Sequence, residues 1–521
     1  MKNLYQILCA VFSGVLVCFS FPTIFFGWYA PDLGWLAWIA LVPLILVMRN
    51  QVPRRAFFLT FIAGLIAYAG SLYWIYRAMN TYGGMSSLLS VLVLILLVVI
   101  LAIYMALASF FARFIQSRWR GEFIALLPVC WVAFEFCRNY FPCNGFPWSN
   151  IAMSQWSNLH IIQITDVVGV YGLMFLIVWV NVMIAEIILR IRGEHVSMLI
   201  PKVATTVVLV TVTIVYGAIR LNQEITTENT EGIVKVGLIQ GNIPQDEKWA
   251  EEKMAQNLHK YRKATRKLRD AAVDLIIWPE ASFPWTMSTD ETDIDPRALG
   301  FDEEELSEMP HVMFGVLTKR PDGEYHNSAV VFDAKGKRKN LYHKVHLVPF
   351  GEYVPYEKVF FFARKLAEPV GSFIAGSSFD PIVAAGAKIG PLICYEDIFP
   401  EISRKMAKSG AQFLANITND AWYGVSSAPY QHMALAVFRA VENRRYVVRS
   451  TNTGVSAVIA PNGKIEMESG LFEDALIVAP IRLIKETTLY TRLGDWFAWA
   501  CVAYMAVGII VAFVMKYRRA R

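Results

Sequence analysis

Apolar residues gather into long runs over residues 1–221, give way to an alternating apolar and polar pattern, and return in one last run near the C-terminus. A spanning helix needs roughly 20 mostly apolar residues. Seven candidate stretches precede the polar segment, at about 4–22, 33–48, 56–77, 86–112, 121–138, 161–189 and 201–219, and an eighth lies at about 493–515. The first resembles a signal peptide in length, but it has no small-residue cleavage site and further spans follow at once, so it is read as a span. The pattern predicts a polytopic α-helical membrane protein with an inserted α/β domain. Seven transmembrane helices are expected in residues 1–221, the α/β domain in 222–490, and an eighth helix with a basic tail in 491–521.

Inside the polar segment the period shifts between that of strands and that of helices. Strands are expected at 234–243, 275–278, 312–317, 328–332, 388–393 and 413–417, with a closing pair near 447–450 and 455–459. Amphipathic helices are expected at 251–270 and about 431–445. This alternation predicts a layered α/β domain with a mostly buried sheet. Residues 286–309 are acidic and poor in apolar side chains, and read as an exposed loop.

Composition supports the division. Of the 521 residues, 55% are apolar, too many for a soluble chain. The net charge is only +6, and the basic residues form short clusters beside apolar runs rather than one patch, which argues against a nucleic-acid partner. Those clusters also set an orientation, because arginine and lysine favour cytoplasmic loops. Arg49, Arg54 and Arg55 follow the second span; Arg113, Arg118 and Arg120 the fourth; Arg190, Arg192 and Lys202 the sixth; Lys516, Arg518, Arg519 and Arg521 the eighth. All then fall on one side. Both termini are expected in the cytoplasm and the polar domain on the opposite face, which in a bacterium is the periplasmic or outer side, with Trp28, Tyr29, Tyr140 and Trp148 at headgroup depth. Glu135 and Arg138, near the outer end of the fifth span, read either as an i,i+3 ion pair or as a polar lining for a lipid headgroup; Glu186 stands as a solitary intramembrane charge.

Of seven cysteines, Cys394 alone falls in the polar domain, and no pair has metal-ligand spacing. A zinc site or a disulfide framework is therefore not expected. A lone thiol on an oxidising face is either deeply buried or kept for reaction. Cys394 leaves the apolar run 388–393 and is followed by Tyr395, Glu396 and Asp397, where an α/β fold usually presents its chemistry. Two other strand ends bear functional groups. Trp278-Pro279-Glu280 places a carboxylate just past a strand; the run 342–352 places Lys344 in an apolar stretch and Glu352 eight residues on. A carboxylate, a lysine and a cysteine make an acyl-transfer set: a base for the thiol proton, a cation for the developing oxyanion, and a soft nucleophile. Each also has an ordinary reading, as a solvated loop carboxylate, a surface lysine or a core cysteine. His343 and His346, three apart, lack a third partner for a metal, and no cofactor is expected.

Taken in order, these residues resemble the nitrilase superfamily. Together with the spans, the whole chain resembles the bacterial apolipoprotein N-acyltransferases. The resemblance is carried by Gln240-Gly241-Asn242-Ile243-Pro244-Gln245 with Lys248-Trp249, by Trp278-Pro279-Glu280, by 342–355, by Cys394-Tyr395-Glu396, by Asn419-Asp420-Ala421-Trp422 and by 449–454. It implies a nitrilase-like αββα sandwich, with Glu280 as general base, Lys344 and the Tyr395 N–H stabilising the oxyanion, and Cys394 forming a thioester. Glu352 and Glu396 are implied as supporting carboxylates that orient Lys344 and the incoming amine, and Trp249 as lining the entrance. The implied acyl donor is a membrane phospholipid and the implied acceptor a diacylglyceryl apolipoprotein. A membrane-anchored amidase with the same triad is the alternative reading, and a transporter or scaffold bearing an inactive domain a third. Residues 359–362 could form an arm dipping into lipid, or an ordinary core helix turn, and 355–375 could hold a lid.

Overall fold

A computed structural model of the chain describes residues 2–25, 28–30, 32–119, 122–223, 230–291, 301, 305, 308–356 and 373–520. Contacts divide it into two units. One comprises Met1–Tyr76, Ser87–Gln223 and Leu493–Arg521, the other Arg77–Ser86 and Glu224–Arg492. The arm at 359–362 and nearly all of the lid at 355–375 lie outside the described residues, as do the side chains of Trp28, Tyr29 and the basic tail.

The first unit is helical. Among the described residues five helices are long and apolar enough to cross a bilayer: Lys2–Phe19, Ser87–Arg118, Thr165–Ile191, Leu199–Asn222 and Trp496–Met515. The bent pair Pro53–Ser71 and Trp74–Tyr82, turning through 51°, gives a sixth if it is one span. The stretch expected to span at 33–48 is instead a 3₁₀ turn, Gly34–Trp38, followed by a seven-residue helix, Val42–Met48. Its interruption is satisfied from within the protein. Asn181 accepts from Leu41 N at 2.9 Å and donates to Ala37 O at 2.8 Å. Irregular backbone survives at membrane depth only with such partners. The stretch expected at 121–138 forms a helix of 16 residues, Phe123–Arg138, short for a span.

Four acidic side chains in this unit form ion pairs among the described residues, Glu122 with Lys202 at 2.7 Å being one. Glu135 bonds Arg138 and accepts from Tyr68 Oη at 3.3 Å, so the ion-pair reading holds. Glu186 is not solitary: Lys202 Nζ lies 3.0 Å away and Arg49 3.5 Å. Asp166, which hydropathy did not flag, meets Arg220 at 3.0 Å. Trp148 is fully buried within the protein, packed against Trp74 with ring centres 4.9 Å apart, while Tyr140 is exposed.

The second unit is built on two sheets. In the first, β1 (Thr230–Gln240), β2 (Leu275–Ile277), β3 (His311–Lys319), β4 (Tyr325–Phe332) and β5 (Arg338–His343) follow one another in space, with a far strand, Ala475–Ile484, on the outer side of β1. In the second, β6 (Ile382–Ala384), β7 (Ala387–Ile393), β8 (Phe413–Thr418), β9 (Val447–Thr451), β10 (Ala457–Ile459) and β11 (Ile465–Glu468) lie in that order. The strands β1–β2–β3 and β7–β8–β9 are parallel, and the outer pairings are antiparallel. The strand Ala475–Ile484, β12, contains Pro480, which has no N–H to give to a ladder. It is tolerated because β12 is an edge strand, paired only with β1.

Helix Glu251–Asp270 covers the first sheet through Leu258, Tyr261 and Leu268, and helices Pro400–Lys408 and Ala428–Asn443 cover the second. The layers are therefore αββα. The sheets are joined by Ser450 of β9, whose Oγ lies 3.0 Å from the carbonyl oxygens of both Ile239 and Ile277. The acidic stretch at 286–309 is not simply an exposed loop: Met287, Phe301 and Met309 are buried in the helix-facing core, so its few apolar residues anchor it. Trp278 fills the centre of that core, fully buried, stacked on Tyr261 at 4.9 Å and donating from Nε1 to Thr265 at 3.0 Å. Trp278→Ala is expected to destabilise this unit by about 3–5 kcal/mol. Thermal unfolding in detergent checks it, and an unchanged midpoint would contradict the packing.

Candidate active site

Cys394 sits where β7 ends. Its backbone turns to φ +50°, a conformation a non-glycine residue rarely adopts, and enters the 3₁₀ helix Cys394–Ile398. The turn is held by a buried carboxylate. Glu396 Oε2 accepts from Ile393 N at 2.7 Å; Oε1 accepts from Tyr342 Oη at 2.8 Å and from the N–H groups of Val345 and His346 at 2.7 and 3.2 Å. One side chain thus ties the exit of β7 to the exit of β5, which carries Lys344. Burial raises the Glu396 pKa to about 7 against these donors.

Lys344 is almost wholly buried, 1% exposed, and two carboxylates meet it. Its Nζ is 2.9 Å from Glu352 Oε1 and 3.6 Å from Glu280 Oε1. Asn327 of β4 donates to both, at 2.8 Å to Glu280 and 2.9 Å to Glu352. The second oxygen of Glu352 accepts from Val348 N at 2.8 Å. Burial works against the ammonium, but Glu352 and Glu280 outweigh it and hold Lys344 above the ordinary lysine range. Glu280 follows β2 after Trp278-Pro279, and β3 passes close beside it. A Cβ at Gly315 would lie 2.6 Å from the Glu280 Cα and 2.3 Å from the Ala281 nitrogen, so only glycine fits.

Cys394 lies in the field of Glu280 and Lys344. Burial and Glu280 push its thiol well above the usual range, and Lys344 with a hydrogen bond from Thr418 only partly offset them. The resting Cys394 side chain is a neutral thiol. Simple activation by a neighbouring lysine is therefore not enough, and a base is required.

Behind the nucleophile lies a fully buried ionic network. His432 bridges Asp397 at 2.7 Å and Asp420 at 2.9 Å, and Arg449 reaches Asp397 at 2.7 Å, Asp420 at 2.9 Å and Asn416 Oδ1 at 2.6 Å. Burial and Arg449 oppose a charge on His432, but Asp397 and Asp420 prevail and raise its pKa to about 8. Thr418 and Asp420 connect this network to Cys394.

All three residues expected to carry chemistry meet in this site, with Glu352 against Lys344. Glu396 bonds the backbone beside Lys344 rather than its ammonium. Tyr395 is buried, its ring 5.1 Å from Phe399, and Trp249 is 37% exposed. His343 bonds Ser328 at 2.8 Å and stacks on His326 at 4.0 Å, whereas His346 stacks on Phe399 at 3.8 Å. Among the described residues no three His, Cys, Asp or Glu side chains are grouped to hold a metal. Sequence reasoning missed Asn327, the network around His432, and Lys248. Lys248 is only 5% exposed and donates to the Glu280 carbonyl oxygen at 2.9 Å. Its place beside Trp249 in a quoted motif was the one available signal.

Residues 235–488 match the carbon-nitrogen hydrolase family, and residues 13–183 match the apolipoprotein N-acyltransferase N-terminal domain. The chain is 40% identical to an apolipoprotein N-acyltransferase of Geobacter metallireducens over 98% of its own length and 95% of that protein's. It is 31% identical to one from Shewanella oneidensis over 92% of each chain, and 31% identical to one from Methylococcus capsulatus over 98% of this chain and 97% of the other.

Two outcomes follow from the geometry. Gly315→Ala should displace Glu280 and slow acylation of Cys394 by a p-nitrophenyl ester by about 10²-fold, read as nitrophenolate release; an unchanged rate would contradict the close approach. The folded-state pKa of His432 is raised, so its stabilisation is fully present below about pH 6.5, its unfolded value, and is lost as the pH rises through about 8. The gap in melting temperature between the natural protein and His432→Gln should therefore be wider at pH 6 than at pH 9. An equal or wider gap at pH 9 would contradict the charged network.

Proposed function

The chain belongs to the apolipoprotein N-acyltransferase family, and from that premise we propose that Cys394 carries a fatty acyl chain from a membrane phospholipid to the α-amine of a diacylglyceryl-modified N-terminal cysteine of an apolipoprotein. The observation that carries this reading is the buried Lys344 ammonium shared by Glu280 and Glu352 beside a thiol presented on a strained turn.

Glu280 takes the proton of Cys394 Sγ. The thiolate attacks the sn-1 ester carbonyl carbon, and the C=O electron pair moves onto oxygen. That oxyanion is met by the Lys344 ammonium and the Tyr395 backbone N–H, donors aimed at charge that exists only in the transition state. When the intermediate collapses, the ester C–O bond breaks. The glycerol oxygen leaves with the proton held by Glu280, as a lysophospholipid, and a thioester remains on Cys394. In the second half-reaction the neutral amine attacks the thioester, the C–S bond breaks, and Glu280 passes the amine proton to the departing thiolate. The first product leaves before the second substrate reacts, so the kinetics are ping-pong. Glu352 keeps Lys344 charged and oriented, Glu396 fixes the two strand ends, and the half-exposed Trp249 lines the way in.

The spans suit this substrate. Withdrawing an acyl chain from the bilayer costs about 0.8 kcal/mol per CH₂, so an enzyme that uses one gains from being held at the membrane. The basic clusters support both termini in the cytoplasm and the catalytic domain on the periplasmic face of the inner membrane. The reading keeps eight spans, counting the interrupted stretch at 33–48 and the 16-residue helix Phe123–Arg138 among the seven over residues 1–221, with one over 491–521 and the catalytic domain at 222–490.

Incubation with phospholipid should add one fatty acyl mass to the intact protein. That adduct should be labile to hydroxylamine and absent from Cys394→Ala. A protein that gains no mass while hydrolysing a small amide would contradict the acyltransferase reading.

A further inference from the structure

The reaction as written leaves one buried cation without a role. Lys248 lies in the turn that leads from β1 into helix Glu251–Asp270. The turn is closed by Glu247 N to Pro244 O at 3.1 Å and pinned by Asn257 Nδ2 to Glu247 O at 3.2 Å. The Lys248 ammonium is thereby held in the protein interior, donating to the main-chain carbonyl of Glu280 at 2.9 Å and lying 6.0 Å from the Trp249 ring centre. Among the described residues it forms no ion pair. Glu247, its neighbour, faces Lys253 instead, at 3.9 Å.

A buried lysine with no carboxylate of its own is costly to keep charged, and the charge balance of the site says what it is for. Glu280 and Glu352 bring two negative charges and Lys344 one positive, which leaves one negative charge beside a thiol that must itself become an anion. The direct ion pairs of Lys344 are both to those carboxylates. A second ammonium brings the balance of these groups to zero; Glu396, whose oxygens are taken up by Tyr342 Oη and backbone N–H groups, stands outside that count. The balance stays zero when the proton moves from Cys394 to Glu280, because one anion replaces another. Asp420, the other carboxylate acting on Cys394, is already neutralised by Arg449 and His432.

We propose that Lys248 is a positioning residue for acyl-enzyme formation, which holds Glu280 by its main-chain carbonyl and supplies the second positive charge that lets the Cys394 thiolate form. Burial lowers the Lys248 pKa to about 8, with Glu280 and Cys394 the charged and titratable groups that oppose the shift. Its charge is thus present at neutral pH and is lost as the pH rises through about 8. Acyl-enzyme formation should fade over that interval.

The inference rests on the Cys394 thioester, and its test separates the two. The rate of acyl-enzyme formation is followed by intact mass between pH 6 and 9.5, using the full-length protein in detergent with dioleoyl phosphatidylglycerol, whose headgroup does not titrate there. For the natural protein the rate should fall above about pH 8. Lys248→Met should be slower by about 10²-fold at pH 7 and show no further fall on the alkaline side. Lys248→Arg, charged throughout, should shift the fall upward. A merely structural lysine would change the melting temperature and leave the shape of the profile unmoved. An alkaline fall at the natural position in Lys248→Arg, or in a folded Lys248→Met, overturns the inference while the thioester stands. The absence of any adduct on the natural protein at every pH overturns both.

Discussion

The Lys344 ammonium is almost completely buried, and a charge so placed survives only if it is paired and hydrogen-bonded. Two carboxylates provide that pairing. They come from different segments, Glu280 after β2 and Glu352 in the loop beyond β5, and Asn327 on β4 holds both through one amide nitrogen. Three separate parts of one sheet, the end of β2, β4 and the loop beyond β5, must therefore keep their spacing for the charge to persist. Losing either carboxylate would leave a buried cation partly unpaired, so the arrangement that performs the chemistry also makes demands on the fold.

Cys394 comes from the other sheet, which explains how much of the structure joins the two. Glu396 reaches from the Cys394 turn to the backbone beside Lys344, and Ser450 joins β9 to the ends of β1 and β2. Behind Cys394 the quartet Asp397, His432, Asp420 and Arg449 is wholly buried and internally neutralised, a rigid backing that keeps the strained turn in place. The resting thiol is neutral because burial disfavours its charge. In the reaction proposed above, that neutral thiol is why proton transfer to Glu280 must accompany the attack.

Much of this was legible in the sequence because catalytic groups at strand exits leave a local signature: an apolar run, a break, then a polar residue. Glu280 and Cys394 follow apolar runs in this way, whereas Lys344 follows the mostly polar strand Arg338–His343 and stood out only through the run that continues to Glu352. Helix 251–270 was legible to the residue, since its amphipathic period runs unbroken between clear ends. What escaped depends on contacts between distant segments. The strand Ala475–Ile484 was hidden by Pro480, which argues against a strand unless its edge position is known. The break at 33–48 was invisible because Asn181, far along the chain, satisfies it. Glu186 looked solitary because Lys202 lies 16 residues away on the next helix. Lys248 stood in a recognised motif, yet nothing local distinguishes a lysine pointing inward from one in solvent.

In the proposed reaction the acyl group on Cys394 is destined for an amine rather than for water. The most direct measurement is a chase: acyl-enzyme is isolated, then mixed with a diacylglyceryl lipopeptide whose N-terminal amine is free, or with the same lipopeptide acetylated at that amine, and the masses of enzyme and peptide are followed together. The account predicts that the acyl mass leaves the enzyme and appears on the α-nitrogen of the free-amine peptide alone, with the acetylated peptide leaving the thioester intact. Release of free fatty acid at the same rate with either peptide would contradict it and identify a hydrolase.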